Sequence, residues 1–186
     1  MGRPKALLPI GAGRETFFDR ITRTLLEAGV APVAVVVGAD AVPIRRSVRP
    51  ADRVQLVDNP DFERGQLTSL LVGLRAIDRD DIHAAVVTLI DTPLVTVETV
   101  RTLIETHARR RSPIVRPVSQ GRHGHPVIFD RSVFEELRRA DPAEGAKTVV
   151  RAHAADILEV AVADEGAFID IDTPEDYERW IGPLRD

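Results

Sequence analysis

The sequence predicts an α/β fold built on a parallel sheet, and two patterns carry that prediction. Three apolar runs rich in β-branched residues, Val33–Val37, Val54–Val57 and Ala84–Ile90, are each bounded by polar or turn residues, which is how strands covered on both faces read. Between and beyond them the apolar residues switch to helical spacing, so strand and helix alternate along the chain.

The helices follow from that spacing. Phe17–Ala28 places Phe17, Ile21, Leu25 and Ala28 on one stripe, and Leu67–Ile77 does the same with Leu67, Leu70, Leu71, Leu74 and Ile77. Val97–Ala108 repeats the pattern and runs into Arg109-Arg110-Arg111, whose positive charge suits a helix C-terminus. The second half is less regular. Strands are expected over Pro113–Val118, Pro126–Phe129 and Ala167–Ile171, short helices over Ser132–Arg139 and Ala146–Ala154, and a last helix over Pro174–Trp180, all packed on the same sheet.

A length of 186 residues suits a single domain, and neither an internal repeat nor a Gly-, Ser- or Pro-rich linker divides it. Hydrophobic residues at 44% and charged residues at 29% are ordinary for a globular chain, so a packed core is affordable in apolar area. The formal net charge of -4 gives no positive field to gather nucleic acid or an anionic membrane. No apolar run approaches the roughly 20 residues of a membrane span, and the start Met1-Gly2-Arg3-Pro4-Lys5 has no apolar stretch of the signal-peptide kind behind its charges. The chain therefore reads as cytoplasmic. With no cysteine, disulfides, thiolate zinc sites and cysteine nucleophiles are excluded.

Five segments carry a more specific signal: Gly2-Arg3-Pro4-Lys5-Ala6-Leu7-Leu8-Pro9, Gly65-Gln66-Leu67-Thr68-Ser69-Leu70 with Gly73-Leu74, Asp91-Thr92-Pro93-Leu94-Val95, Gly124-His125-Pro126-Val127-Ile128-Phe129, and Asp170-Ile171-Asp172-Thr173-Pro174-Glu175-Asp176-Tyr177. In this order they resemble the molybdenum-cofactor cytidylyl- and guanylyltransferases. The likeness spans nearly the whole chain. The Gly-His-Pro element and the turn Gly145-Ala146-Lys147 are more similar to the cytidylyl branch, whereas Thr92 stands where that branch often has glutamine, and Gly11–Thr16 is a longer, more polar connection than a tight turn requires.

The resemblance implies a three-layer α/β domain of the nucleotide-diphospho-sugar-transferase-like type, Rossmann-like, with a mostly parallel sheet and one reversed strand. It also implies a first strand and a glycine-rich phosphate loop ahead of residue 1, with Met1 matching an internal methionine of the family's loop, so that residues 1–186 form a single domain shortened at its N-terminus. The implied reaction moves a nucleoside monophosphate from CTP or GTP, CTP by preference, to the terminal phosphate of the molybdenum-pterin cofactor and releases pyrophosphate. Magnesium is the implied metal, and a molybdoenzyme or its chaperone the implied protein partner. Two other readings stay open: the same chemistry on a sugar phosphate or another small phosphate, and a non-catalytic protein that binds a cofactor or partner because the phosphate loop is lacking.

Residue by residue, nucleotidyl transfer needs charge neutralisation and positioning more than covalent help. Asp91 follows an apolar run, at the strand end where open α/β sheets bind ligands, and suits magnesium; it equally suits a helix cap. On an expected strand Asp170 and Asp172 point to opposite faces, so one of them can join Asp91. The resemblance selects Asp172, although Asp172 or Thr173 also reads as a helix cap. Lys5 is assigned to the triphosphate as a catalytic and nucleotide-binding cation, with Arg3 beside it. Gly65, Thr68 and Ser69 open a helix whose free N–H groups suit a phosphate, or whose hydroxyls merely cap it; Gly65 and Ser69 are taken as nucleotide-binding. His125 and Lys147 are assigned to the acceptor. His123 and His125 lack a third zinc ligand nearby in the sequence.

Overall fold

The computed structural model describes residues 3–11 and 13–183. A short 3-10 turn at Lys5–Leu7 leads to α1 (Phe17–Glu27), β1 (Val33–Val37), α2 (Ala41–Ser47), β2 (Val54–Asp58), α3 (Gln66–Ile77), β3 (Ala84–Val87) and α4 (Val97–Arg110). The second half adds β4 (Ile114–Ser119), β5 (Arg122–His123), β6 (Val127–Asp130), α5 (Phe134–Arg139), α6 (Lys147–Ala152), β7 (Ile157–Ala161) and α7 (Pro174–Trp180). No described helix is long and apolar enough to cross a membrane.

β1 pairs with β2 in parallel, Val33 opposite Val54 and Val37 opposite Asp58. The other sheet runs β3-β6-β4, with β7 parallel on β4 and the two-residue β5 forming a hairpin with it. β6 is antiparallel to both β3 and β4, so it is the reversed strand among otherwise parallel neighbours. Successive residues of one strand feed opposite layers. Ile114 and Phe129 pack under α3, α5 and α6 through Leu74, Leu137 and Val149, while Val115 and Ile128 pack on Leu103 of α4. Helices thus cover both faces, and the three layers expected from the sequence are present.

Local sequence explains the helix starts. Thr16 accepts from the Asp19 N–H while the Asp19 carboxylate accepts from the Thr16 N–H, a capping box that begins α1. The start of α4 is tied across the chain: one Asp164 carboxylate oxygen accepts from the Thr96 N–H at 2.9 Å, the Thr96 hydroxyl at 2.8 Å and the Thr99 hydroxyl at 2.7 Å. The basic run behaves as expected, closing α4 with Arg111 in the left-handed region at φ 52°.

The structure corrects two expected strands and adds elements that the sequence pattern did not show. The run Ala84–Ile90 is a strand only to Val87, because the Thr92 N–H and hydroxyl both donate to the Leu89 carbonyl and fold the remainder into a turn. Ala167–Ile171 is not a strand. Asp164 accepts from the Gly166 N–H and starts a 3-10 turn at Glu165–Phe168, and the backbone then runs unpaired to α7. The strand of that region lies earlier, at β7, where Ile157–Ala161 pairs with Ile114–Val118. Finally, α2 went unread because Pro43 interrupts its pattern; proline in a first helical turn costs no hydrogen bond.

His107, in the last turn of α4, meets Asp130 of β6 at 2.9 Å, and both side chains are largely buried. Burial pushes the Asp130 carboxyl up, but hydrogen bonds from Ser132 and His107 outweigh it and hold the group below its ordinary value. A carboxyl depressed in the folded state contributes stability above its unfolded pKa and loses it as pH falls through the folded pKa. Asp130→Asn should therefore cost about 1–2 kcal/mol at pH 7 in urea unfolding, and the gap to wild type should close as the pH drops below the usual carboxylate range. A gap that persists in acid would assign the effect to packing instead.

Candidate active site

The site begins with two buried apolar anchors that directly follow a cation. Ala6 packs with Val37 and Ile44, and Leu8, fully buried, packs with Phe17, Ile171 and Tyr177. Positioned by them, Lys5 projects toward the turn after β3. Its Nζ lies 2.5 Å from Asp172 Oδ1 and 4.0 Å from Asp91 Oδ2. The two carboxylates, far apart in the chain, meet because the Ile171 N–H donates to the Asp91 carbonyl at 2.8 Å. That single backbone bond joins the turn after β3 to the segment before α7.

Neither acid caps a helix. Thr96 begins α4, and Thr173 begins α7 in a capping box with Asp176. Both carboxylates are thereby released from the structural roles that the sequence left open to them. Asp91 is 22% exposed and Asp172 61%. Burial raises the Asp91 carboxyl above its ordinary value, Lys5 opposes this, and the negative charges of Asp170 and Asp172 add to it. Asp170 and Asp172 do not alternate on a strand, as the sequence suggested. They lie on irregular backbone, and both act on Asp91, Asp170 the more strongly.

The arrangement fits a hard divalent cation. Asp91 Oδ1 is buried and has no hydrogen-bond partner, and positive charge already sits between the two carboxylates as the Lys5 ammonium. Magnesium is usually held by one or two carboxylates plus substrate phosphates, and Asp91 with Asp172 supplies that number. Among the described residues no group of three or more His, Asp or Glu converges as a self-sufficient metal cage. His123 turns to Glu159 at 2.9 Å and to Arg116, so it forms no zinc pair with His125.

The remaining nominated residues gather along one cavity of about 950 Å³. Gly65, Ser69, His125 and Lys147 all line it, and it reaches Ile90, next to Asp91. Gly65 has φ 112°, a conformation L side chains rarely adopt, and opens α3 with no side-chain cap, leaving helix N–H groups free for an anion. Thr68 is structural: its hydroxyl donates to the Gly65 carbonyl at 2.8 Å and accepts from Asn59. Ser69 accepts from the same Asn59 amide, which leaves its own proton available to a ligand. Asn59, 2% exposed at the end of β2, organises both hydroxyls, and sequence reasoning missed it. The Asn59-Pro60 pair marks a turn, and nothing in its spacing announces the contact.

His125 is half-buried, and its Nδ1 atom is buried and unpartnered. Burial lowers its pKa, against the opposing influence of the Val87 backbone and the Asp170 and Asp91 carboxylates, so the ring is neutral near pH 7. Its neighbour must be glycine, since a Cβ on Gly124 would sit 2.1 Å from the Ala167 carbonyl oxygen. Lys147 is exposed at the first turn of α6, a position where a cation is unfavourable for the helix itself. Arg3 parts from Lys5: it is exposed, and its charge acts on the Tyr177 phenol beside α7. Met1 and Gly2 lie outside the described residues.

Comparison with known proteins agrees with this geometry. Residues 1–157 match the sequence profile of the MobA-like NTP transferase domain. The chain is 22% identical over 178 residues to the molybdenum cofactor cytidylyltransferase of Escherichia coli (strain K12), covering 95% of this chain and 86% of that one. It superposes on the crystal structure of Rv0371c from Mycobacterium tuberculosis with a TM-score of 0.81 and 29% identity, covering 97% and 90% of the two chains. The manganese complex of Rv0371c gives 0.78 and 28%, covering 97% and 92%. Molybdopterin-guanine dinucleotide biosynthesis protein A from Archaeoglobus fulgidus, at 18% identity and a TM-score of 0.67 over 96% and 89%, shares the fold. With the acidic pair, its lysine and the profile in agreement, the chain belongs to the MobA-like NTP transferase domain family and is a nucleotidyltransferase.

Proposed function

We propose that the chain transfers a nucleoside monophosphate, from CTP by preference, to the terminal phosphate of the molybdenum-pterin cofactor. The observation that carries this reading is Lys5 held between Asp91 and Asp172 at the mouth of the cavity that Gly65, Ser69, His125 and Lys147 line. The preference for CTP and for this acceptor draws support from the name of the Escherichia coli relative and from the Gly-His-Pro element.

In the reaction an oxygen of the acceptor phosphate attacks the α-phosphorus, and the bond to the bridging oxygen of the β-phosphate breaks, its electron pair leaving with pyrophosphate. The acceptor phosphate is already ionised at neutral pH, so the chain need not supply a base, and neutral His125, whose one N–H is turned to the Val87 carbonyl, offers its free Nδ1 as an acceptor to a hydroxyl or N–H of the ligand. Asp91 and Asp172 would hold magnesium, which supplies Lewis-acid neutralisation of the phosphate oxygens when bound. Lys5 swings from the carboxylates to the triphosphate as the nucleotide enters. Lys147 takes the acceptor's charge, while the free N–H groups at Gly65 and the start of α3, with Ser69, meet the phosphates of the nucleotide. By the same reading residues 1–186 form a single NTP transferase domain. The recipient of the product is a molybdoenzyme or its chaperone.

Asp91→Asn should lower kcat with CTP, magnesium and the pterin acceptor by about a hundredfold or more. Turnover near wild type would remove Asp91 from the metal site. Lys5→Ala separates two roles of one side chain. It should slow transfer by a similar factor, yet bind manganese alone more tightly in titration calorimetry, because the ammonium no longer competes for the carboxylates. Weaker manganese binding in this variant would contradict the arrangement. Lys147→Ala should raise KM for the acceptor about tenfold, the loss of roughly 1.4 kcal/mol, with KM for CTP unchanged. A shift in the CTP constant instead would move Lys147 to the nucleotide side.

A further inference from the structure

Among the described residues four buried side-chain atoms lack a hydrogen-bond partner: Asp78 Oδ1, Asp91 Oδ1, Arg116 Nε and His125 Nδ1. Asp78 Oδ1 sits 2.9 Å from the Arg131 guanidinium in an ion pair, and Asp91 belongs to the metal pair. The other two residues, Arg116 and His125, line the same cavity. Arg116 stands two places after Ile114 on β4, so both side chains point to the face that α3, α5 and α6 cover. The β4–β5 hairpin pairs Val118 with His123, and in the same register the Gly124 N–H donates to the Pro117 carbonyl at 3.2 Å. One step further sets Arg116 opposite His125. Opposite residues of antiparallel strands share a face with Cβ atoms about 4.5–5.5 Å apart, within reach of two neighbouring atoms of one ring.

Arg116 is 19% exposed, and its charge is already balanced. Its Nη2 donates to Glu159 Oε1 at 2.6 Å, and His123 turns Nε2 to the same oxygen at 2.9 Å. A compensated cation supplies little net field for a phosphate, which leaves direction as its contribution: a planar N–H at Nε, held in place by the Glu159 bond. His125 offers the converse, a bare Nδ1 acceptor with its one N–H turned to the Val87 carbonyl. A sugar hydroxyl serves either atom singly. A lactam edge, carbonyl and N–H side by side in one rigid plane, serves both together. We propose that Arg116 and His125 read the lactam edge of the acceptor's pterin ring, Arg116 Nε donating to the ring carbonyl and His125 Nδ1 accepting from the adjacent N–H. The inference rests on the pterin-acceptor reading and adds what selects that acceptor: a sugar phosphate engages Lys147 but leaves both buried atoms unpaired. Guanine carries the same edge. The nucleotide, however, is assigned to the start of α3 after β2, whereas Arg116 and His125 adjoin β6 and β7, so the pair belongs to the acceptor.

Titration calorimetry on the 186-residue chain with magnesium tests this without turnover. Hydroxymethylpterin monophosphate is compared with its diaminopteridine analogue, in which an amino group replaces the carbonyl and the ring nitrogen loses its hydrogen, so donor and acceptor are exchanged. Wild type should bind the analogue more weakly by about tenfold or more. Arg116→Lys keeps the charge but has no planar Nε donor. It should bind the pterin about tenfold more weakly and lose the discrimination between the rings, with Kd for glucose phosphate and for GTP unchanged. Equal affinity of wild type for both rings would overturn the proposal alone, as would unchanged pterin binding in Arg116→Lys. An equal loss for the pterin and for glucose phosphate makes Arg116 a phosphate contact and overturns it too. So does a loss confined to GTP, which gives the edge to guanine. If wild type takes up neither ring, the pterin-acceptor reading fails and the inference with it. Should Arg116→Lys fail to fold, the comparison of the two rings on wild type still decides.

Discussion

The Ile171 N–H bonded to the Asp91 carbonyl is the contact on which the site depends. Without it the turn after β3 and the segment before α7 have no backbone connection at the rim, and the two carboxylates on either side of Lys5 have no reason to converge. The bond is protected by Ile171, which is fully buried against Leu8, Phe17 and Tyr177. Tyr177 adds a second tie, donating its hydroxyl to the Pro9 carbonyl at 2.7 Å. Hydrophobic burial thus fixes three distant segments to one another, and the polar site is what projects from their junction.

Electrostatics then sets what the junction can do. Three carboxylates, Asp91, Asp170 and Asp172, share a rim with one lysine, and the half-buried Asp91 bears the repulsion as a raised pKa. An excess of negative charge with an unpartnered oxygen is a site that gains free energy from a cation. The opposite arrangement prevails across the cavity, where Lys147 and the open end of α3 await negative charge. The two halves thus differ in the sign of the charge they favour.

Much of this was legible in the residues, and the failures have physical causes. The valine-rich strands and the helices of the first half are recoverable because each satisfies its own period. The closeness of Asp91, Asp172 and Lys5 was anticipated through motif resemblance, which also carried the reversed strand. Asp170 and Asp172 were misread as strand residues because Ala167–Ile171 is apolar enough for one, whereas Asp164 diverts the backbone into a turn through a contact with α4 that no local pattern reveals. β7 was missed since its pairing with β4 is set by neighbours distant in sequence. Asn59 escaped for the same reason, as its importance lies in holding two hydroxyls of another element.

The split sheet links stability to chemistry. Asp91 lies a few residues beyond β3, and β3 is held by β6 along one edge alone. A strand end with one paired edge has more freedom than one paired on both, and a metal-binding carboxylate mounted beyond it inherits that freedom. The precision of the site and the integrity of the core therefore depend on the same β3–β6 backbone hydrogen bonds.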